Sequence, residues 1–199
     1  MIAVIDYGMG NLRSVQKAFE FLGYEAKVTS DKNDIRDASH VVLPGVGAFK
    51  DALANLNRYV LTEEIYATAR SGKPFLGICL GMQLLFEKDY EFGEHAGLGI
   101  IPGEVTAFDV GDLKVPHMGW NTVASRPNPL IASEGERYVY FVHTYHAAGV
   151  PEENILAVTE YGYPFVSAVM KENIFGLQFH PEKSGDTGLK ILKNFAELK

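Results

Sequence analysis

The sequence predicts an α/β protein, with an open, mixed and mainly parallel sheet flanked by helices and extended by antiparallel strands. Three observations carry this. Short apolar runs alternate with segments of helical spacing through the first half of the chain, which calls for parallel strands covered on both faces. The later half becomes β-rich, with turn residues between closely spaced runs. The last segment returns to helical spacing.

Taken in order, "IAVI" is a strand, and Leu12, Val15, Phe19 and Leu22 then line one helical face that Gly23 ends. "YEAKVTS" and "HVVL" are the next strands, and the turn "PGVG" leads into a helix carrying Phe49, Leu53 and Leu56. Thr62 to Arg70 is helical, Gly72 closes it, and "KPFLGI" is a further strand. "GLGIIPGEVTAF", "YVYFVHTYHAA", "ILAVTEY", "FVSAVM" and "IFGLQF" read as strands, with turns at Tyr161-Gly162 and Glu172-Asn173. "TGLKILKNFAEL" is a helix through Leu189, Leu192 and Phe195.

A chain of 199 residues without linker, repeat or low-complexity stretch reads as a single domain over 1–199. With 47% hydrophobic and 22% charged residues it fits a soluble globular protein. No apolar run reaches membrane-span length, and "MIAVIDYGMG" reads as a buried strand rather than a signal peptide. The single cysteine fits a reducing compartment, so a cytoplasmic protein is expected. A formal charge of −7 argues against nucleic acid and anionic membranes as partners.

That one cysteine, Cys79, stands in "GKPFLGICLGMQLLF". Gly77-Ile78-Cys79-Leu80-Gly81 has the spacing of the nucleophile elbow G-x-S-x-G, with sulfur in place of oxygen. A nucleophile raised on a sharp strand-to-helix turn needs neighbours without clashing Cβ atoms. A helix starting near Met82 would also favour the thiolate. The stretch alone equally fits a small core cysteine at a strand end.

A thiol nucleophile needs a base held by a third group. Among six histidines, His180 follows an apolar strand in "IFGLQFHPEKS" and has Glu182 two residues on, on the same side if the chain is extended. His40 and His95 lack comparable settings, and His117 in "PHMGW" stays a candidate. His143 and His146 in "HTYH" face opposite sides of a strand, so no metal site is expected. The glycines of "PGVG" expose backbone N–H groups near the sheet's carboxyl edge, suited to a developing oxyanion, with the amide of Leu80 as a second donor. "GMG" at 8–10 has Arg13 where a dinucleotide fingerprint needs glycine, and no phosphate loop occurs, so no cofactor is expected.

Together, "GICLGMQLLFE", "PGVG" and "FHPEKS" resemble the class I (triad-type) glutamine amidotransferases. Within that family "DYGMGNL", "PGVGAF", "PHMGWN" and "YFVHTYHA" resemble the glutaminases that serve a separate cyclase in histidine biosynthesis. The resemblance spans the chain and implies a triad of Cys79 (nucleophile), His180 (general base and acid) and Glu182 (orienter). It implies oxyanion amides at Val46 and Leu80, and a glutamine site of Gly47, Gln83, Glu91, Thr144 and Tyr145. It also implies a (β/α)8-barrel cyclase (synthase) subunit as heterodimer partner, for which Asn11, Met118, Trp120 and Lys183 are the candidate surface. Three other readings stand beside it: a glutaminase of the vitamin B6 synthase type, a catalytically silent scaffold, and a cysteine peptidase.

Overall fold

The structure, a computed structural model, describes residues 1–131 and 137–199. Its elements run β1 (Ile2–Ile5), α1 (Leu12–Phe21), β2 (Ala26–Thr29), α2 (Lys32–Asp37), β3 (His40–Gly45), α3 (Phe49–Arg58), α4 (Thr62–Arg70), β4 (Phe75–Cys79) and α5 (Leu80–Gln83). There follow β5 (Lys88–Asp89), β6 (His95–Ala96), β7 (Glu104–Ala107), β8 (His117–Thr122), β9 (Ala124–Ser125), β10 (Tyr138–His143) and β11 (Tyr145–Ala148). The chain ends with β12 (Ile155–Tyr161), β13 (Tyr163–Lys171), β14 (Ile174–Leu177) and α6 (Gly185–Ala196).

The main sheet has the order β2-β1-β3-β4-β14-β13-β11-β7-β5-β6, with β12 on β13 and β9 on β12. The five strands from β2 to β14 are parallel, and the far side is mostly antiparallel. This is the mixed α/β sheet read from the sequence. A second, two-stranded sheet pairs β8 with β10 antiparallel.

Strand alternation builds two cores, one on each face of the sheet. Ile2 and Val4 of β1 join Val15 and Phe19 of α1 and Ile191, Leu192 and Phe195 of α6. Ala3 and Ile5 join Ile35 of α2, Phe49 and Leu56 of α3 and Ile65 of α4. Fully buried side chains such as Phe19, Phe49 and Phe195 each contribute about 1.5–3 kcal/mol by leaving water. Among the described residues no helix is long and apolar enough to cross a membrane.

Four local readings need correction. "KNDIRD" forms α2, which no apolar periodicity announces because Ile35 is its one buried residue. Of "GLGIIPGEVTAF" only Glu104–Ala107 is a strand. "YVYFVHTYHAA" splits at Thr144, its first half pairing with β8 and its second with β7 and β13. The helix after Cys79 begins at Leu80 and is a single turn, too short to gather much of a macrodipole behind the sulfur.

Candidate active site

The site lies where ligands gather in open α/β sheets, beyond the carboxyl ends of neighbouring parallel strands. Gly45 of β3 pairs with Cys79 of β4, and Leu177 of β14 pairs with Ile78. Cys79 itself takes the strain: φ is 53° and ψ −113°, a backbone that side-chain-bearing residues seldom adopt and that costs of order 1–3 kcal/mol. Its flanking glycines serve packing rather than unusual dihedrals. A Cβ on Gly81 would sit 1.8 Å from the Leu43 carbonyl oxygen, and one on Gly77 would sit 2.7 Å from the Gly81 oxygen. One on Gly45 would meet the Gly81 nitrogen at 2.8 Å and Leu80 Cβ at 2.9 Å. Elbow and "PGVG" turn thus approach backbone to backbone, which only glycine allows.

His180 is buried, and its Nδ1 is 2.9 Å from Glu182 Oε1. The route to this pair differs from an extended chain, because Pro181–Lys183 form a 3-10 turn. Backbone anchors fix the imidazole: His180 N donates to the Tyr140 carbonyl (2.9 Å), and Ser184 Oγ donates to the His180 carbonyl (2.6 Å). Nε2, turned away from Glu182, has no hydrogen-bond partner. Burial alone would lower the imidazole's pKa. The nearby Cys79 sulfur, then the hydrogen-bonded Glu182 carboxylate, outweigh it and push it up to about 10. The imidazole of His180 is therefore protonated at neutral pH, beside the Cys79 sulfur.

The cleft over Cys79 has a volume of about 420 Å³. Val46, Gly47, Leu80, Gln83, Glu91, Thr144, Tyr145 and His180 line it, so every candidate for oxyanion and glutamine contacts reaches one space. Glu91 is locked in place from two sides. Its Oε2 accepts the Phe49 N–H at the start of α3 (2.6 Å), and its own N–H donates to Asp89 Oδ1 (2.7 Å). Burial raises the Asp89 carboxyl to about 6, against the opposing bond from Glu91. Gln83 Nε2 donates to the Tyr145 carbonyl (3.1 Å) and to Gln178 Oε1 (3.0 Å).

The four surface candidates divide. Met118 and Trp120 point outward from β8, 65% and 56% exposed, and Lys183 Nζ lies 5.9 Å from the Tyr140 ring beside them. Asn11, half-buried, has a second connection: its Nδ2 is 3.4 Å from Glu182 Oε1, so it also supports the carboxylate that holds His180.

Sequence reasoning missed Gln178, whose Nε2 lies 3.8 Å from Cys79 Sγ. Position offered a signal, two residues before His180 at a strand end. It also missed Pro116, Val142 and His143 in the cleft lining, and Tyr7, a fully buried phenol beside Gly45 with an unpartnered hydroxyl. Burial, then the charge of Cys79, pushes the Tyr7 pKa well up.

A strained cysteine on a strand-to-helix elbow, facing an imidazole bonded to a carboxylate, defines the cysteine-triad amide-cleaving class on an α/β sheet. Residues 3–198 match the family "Glutamine amidotransferase class-I", and the chain belongs to that family. Particular relatives follow. "Imidazole glycerol phosphate synthase subunit HisH" of Caldanaerobacter subterraneus subsp. tengcongensis is 52% identical over 200 residues, covering 100% of this chain and 98% of the relative. The protein of that name from Sulfurimonas denitrificans is 51% identical over 204 residues, covering 100% and 99%. Among solved structures, PurLQS from Thermotoga maritima has a TM-score of 0.77 at 21% identity, covering 98% of this chain and 96% of that one. That likeness bears on the fold alone.

Proposed function

We propose that residues 1–199 form a single glutamine amidotransferase domain, the glutaminase subunit of imidazole glycerol phosphate synthase. It hydrolyses glutamine to glutamate and ammonia and passes the ammonia to a cyclase subunit in histidine biosynthesis. The relatives' names, at about half identity over the whole chain, support that assignment. One observation carries the chemistry: Cys79 at positive φ lines the same cleft as His180, and His180 is bonded to Glu182.

In this reading the Cys79 thiolate adds to the side-chain carbonyl carbon of glutamine. The oxyanion forms against the amides of Val46 and Leu80, where one well-placed donor is worth about 10²–10³ in rate. As the tetrahedral adduct collapses, the C–N bond breaks and imidazolium His180 gives its proton to the departing nitrogen. Neutral His180 then takes a proton from water, which attacks the thioester, releases glutamate and restores the thiolate–imidazolium pair. Glu182 holds Nδ1 throughout, with Asn11 bracing the carboxylate. Glu91 offers charge to the substrate's α-ammonium, and Gly47, Gln83, Thr144 and Tyr145 hold the rest of glutamine.

The partner in this reading is a (β/α)8-barrel cyclase that docks as a heterodimer on Asn11, Met118, Trp120 and Lys183, and the pair works in the cytoplasm. The test is glutamate release with and without that cyclase and its nucleotide ligand. Cys79→Ala is expected to abolish glutamine-dependent synthesis while the cyclase keeps working on free ammonia. Full glutamate release by Cys79→Ala overturns the proposal, and no release by the wild-type complex returns the chain to a silent scaffold.

A further inference from the structure

Two buried histidines that the triad does not use, His117 and His143, form a hydrogen-bond chain with one possible direction. His143 Nδ1 is 2.8 Å from the Tyr145 carbonyl oxygen. A carbonyl only accepts, so this nitrogen carries the hydrogen. Burial, the largest influence, brings the His143 pKa down to about 3 and keeps the ring neutral. Its Nε2 is then bare and must accept.

The atom facing it is His117 Nδ1, at 2.9 Å, which must donate. His117 is neutral too, lowered by burial to about 4, so its Nε2 accepts in turn. Asn121 Nδ2 supplies that hydrogen at 3.3 Å. The orientation of this amide is fixed twice over: its Oδ1 takes the Thr122 N–H (2.8 Å), and its Nδ2 also donates to the Glu160 carbonyl (2.9 Å). Both imidazoles are thereby assigned the Nδ1–H tautomer.

At its inner end the chain meets the cleft. The Tyr145 carbonyl accepts from His143 and from Gln83 Nε2. Gln83 also donates to Gln178, whose own nitrogen faces the Cys79 sulfur. Both hydrogens of the Gln83 amide are therefore used inside the protein, leaving only its acceptor oxygen to offer a ligand. At its outer end the chain runs along β8, where His117 and Asn121 face inward while Met118 and Trp120 face solvent. Phe141 and Tyr161 stack on the His117 ring, with centroids 4.7 and 4.1 Å away, which holds it in this orientation.

We propose that His117 and His143 are positioning residues for glutamine turnover, a pair of neutral Nδ1–H imidazoles that sets the Tyr145 carbonyl and, through Gln83, the glutamine-binding edge of the cleft. This deepens the glutaminase reading and rests on it. The strand exposing Met118 and Trp120 thereby has a direct polar connection to the substrate edge.

The first test needs no activity. In the full chain labelled with ¹⁵N-histidine at pH 7, His117 and His143 are expected to show protonated Nδ1 and bare Nε2. A scalar coupling should cross the hydrogen bond from His117 Nδ1 to His143 Nε2. An Nε2–H tautomer at either ring overturns the proposal, whatever the enzyme does. The second test uses glutamine kinetics of the full chain with its cyclase. His143→Phe fills the space without a donor and is expected to raise KM for glutamine about tenfold with kcat changed much less, the worth of one lost buried hydrogen bond. His143→Asn keeps a donor near the Nδ1 position and is expected to restore most of the affinity. Unchanged KM in His143→Phe, or equal loss in both variants, overturns the proposal. Absence of glutamate release by the wild-type complex instead defeats the glutaminase reading and leaves the tautomer result standing on its own.

Discussion

Gly81→Ala strikes the contact on which the elbow depends. The added methyl would lie 1.8 Å from the Leu43 carbonyl oxygen and 2.8 Å from its carbon, while Cβ contacts under 3.0 Å do not occur. β3 and the elbow must therefore part by about 1.2 Å. The obstacle is backbone in the middle of a paired strand, so no side-chain rotation relieves it. Overpacking of this kind costs about 1–3 kcal/mol or more. At about 2–4 °C per kcal/mol for a chain of this size, Tm falls by several degrees. Activity should fall further than stability, because the amide of Leu80 and the sulfur of Cys79 move with the turn. A displacement near 1 Å at reacting groups costs about 10²-fold in rate. Glutamate release by the complex, read beside a thermal melt, gives both numbers. Gly23→Ala is the control, at a positive φ of 87° but with nothing within 4 Å of its Cβ position; it should lose about 1 kcal/mol and no kcat. Wild-type kcat and Tm in Gly81→Ala would refute the packing role assigned to this glycine.

Asp89→Asn keeps the acceptor for the Glu91 N–H and removes a carboxylate whose pKa burial raises from 3.8 to about 6. The charged form strains the fold above pH 6, so the variant should be more stable at pH 7–8 by about 3 kcal/mol at most. Denaturant melts should show that advantage shrinking as pH falls through 6 and gone near 4. His180, raised to about 10, should stay protonated across neutral pH in ¹⁵N titrations. In Cys79→Ala it should titrate nearer 6.5, since the larger of its two supporting partners is gone. The wild-type pair stabilises the fold fully below pH 6.5 and loses that contribution as pH rises through about 10; in Cys79→Ala the loss should come earlier. Asn11→Ala should lower kcat several-fold with little change in KM for glutamine, because it frees the Glu182 carboxylate that orients the imidazole. Steady-state kinetics with the cyclase present check that split.

The parallel half of the fold was readable because four of its five strands are wholly buried, and unbroken apolar runs such as "IAVI" and "HVVL" announce that. Hairpin turns at Gly162 and Asn173 marked β12, β13 and β14 for the same local reason. Where a segment's fate depends on distant contacts, sequence reading stopped. Nothing in "YVYFVHTYHAA" tells that Thr144 carries the chain from one sheet to another, because both halves keep strand spacing. The cleft was readable through Cys79 and His180, each displayed by a local turn. Gln178, Tyr7 and the His117–His143 pair act through residues distant in the chain, such as Gln83 for Gln178, so the faint local signals at Gln178 and His117 do not reveal what they bond. Asn11 makes no side-chain cap for its helix and reaches Glu182 instead, a contact that its place at the helix start does not announce.

The central claim is that Cys79, activated by His180, becomes acylated by glutamine. Treating the full complex with a diazo-ketone analogue of glutamine and mapping the adduct by mass spectrometry tests it most directly. A single adduct on Cys79, blocked by excess glutamine and lost in His180→Ala, is the expected result. Labelling indifferent to glutamine, or unreactive sulfur in a folded and cyclase-bound chain, would contradict it.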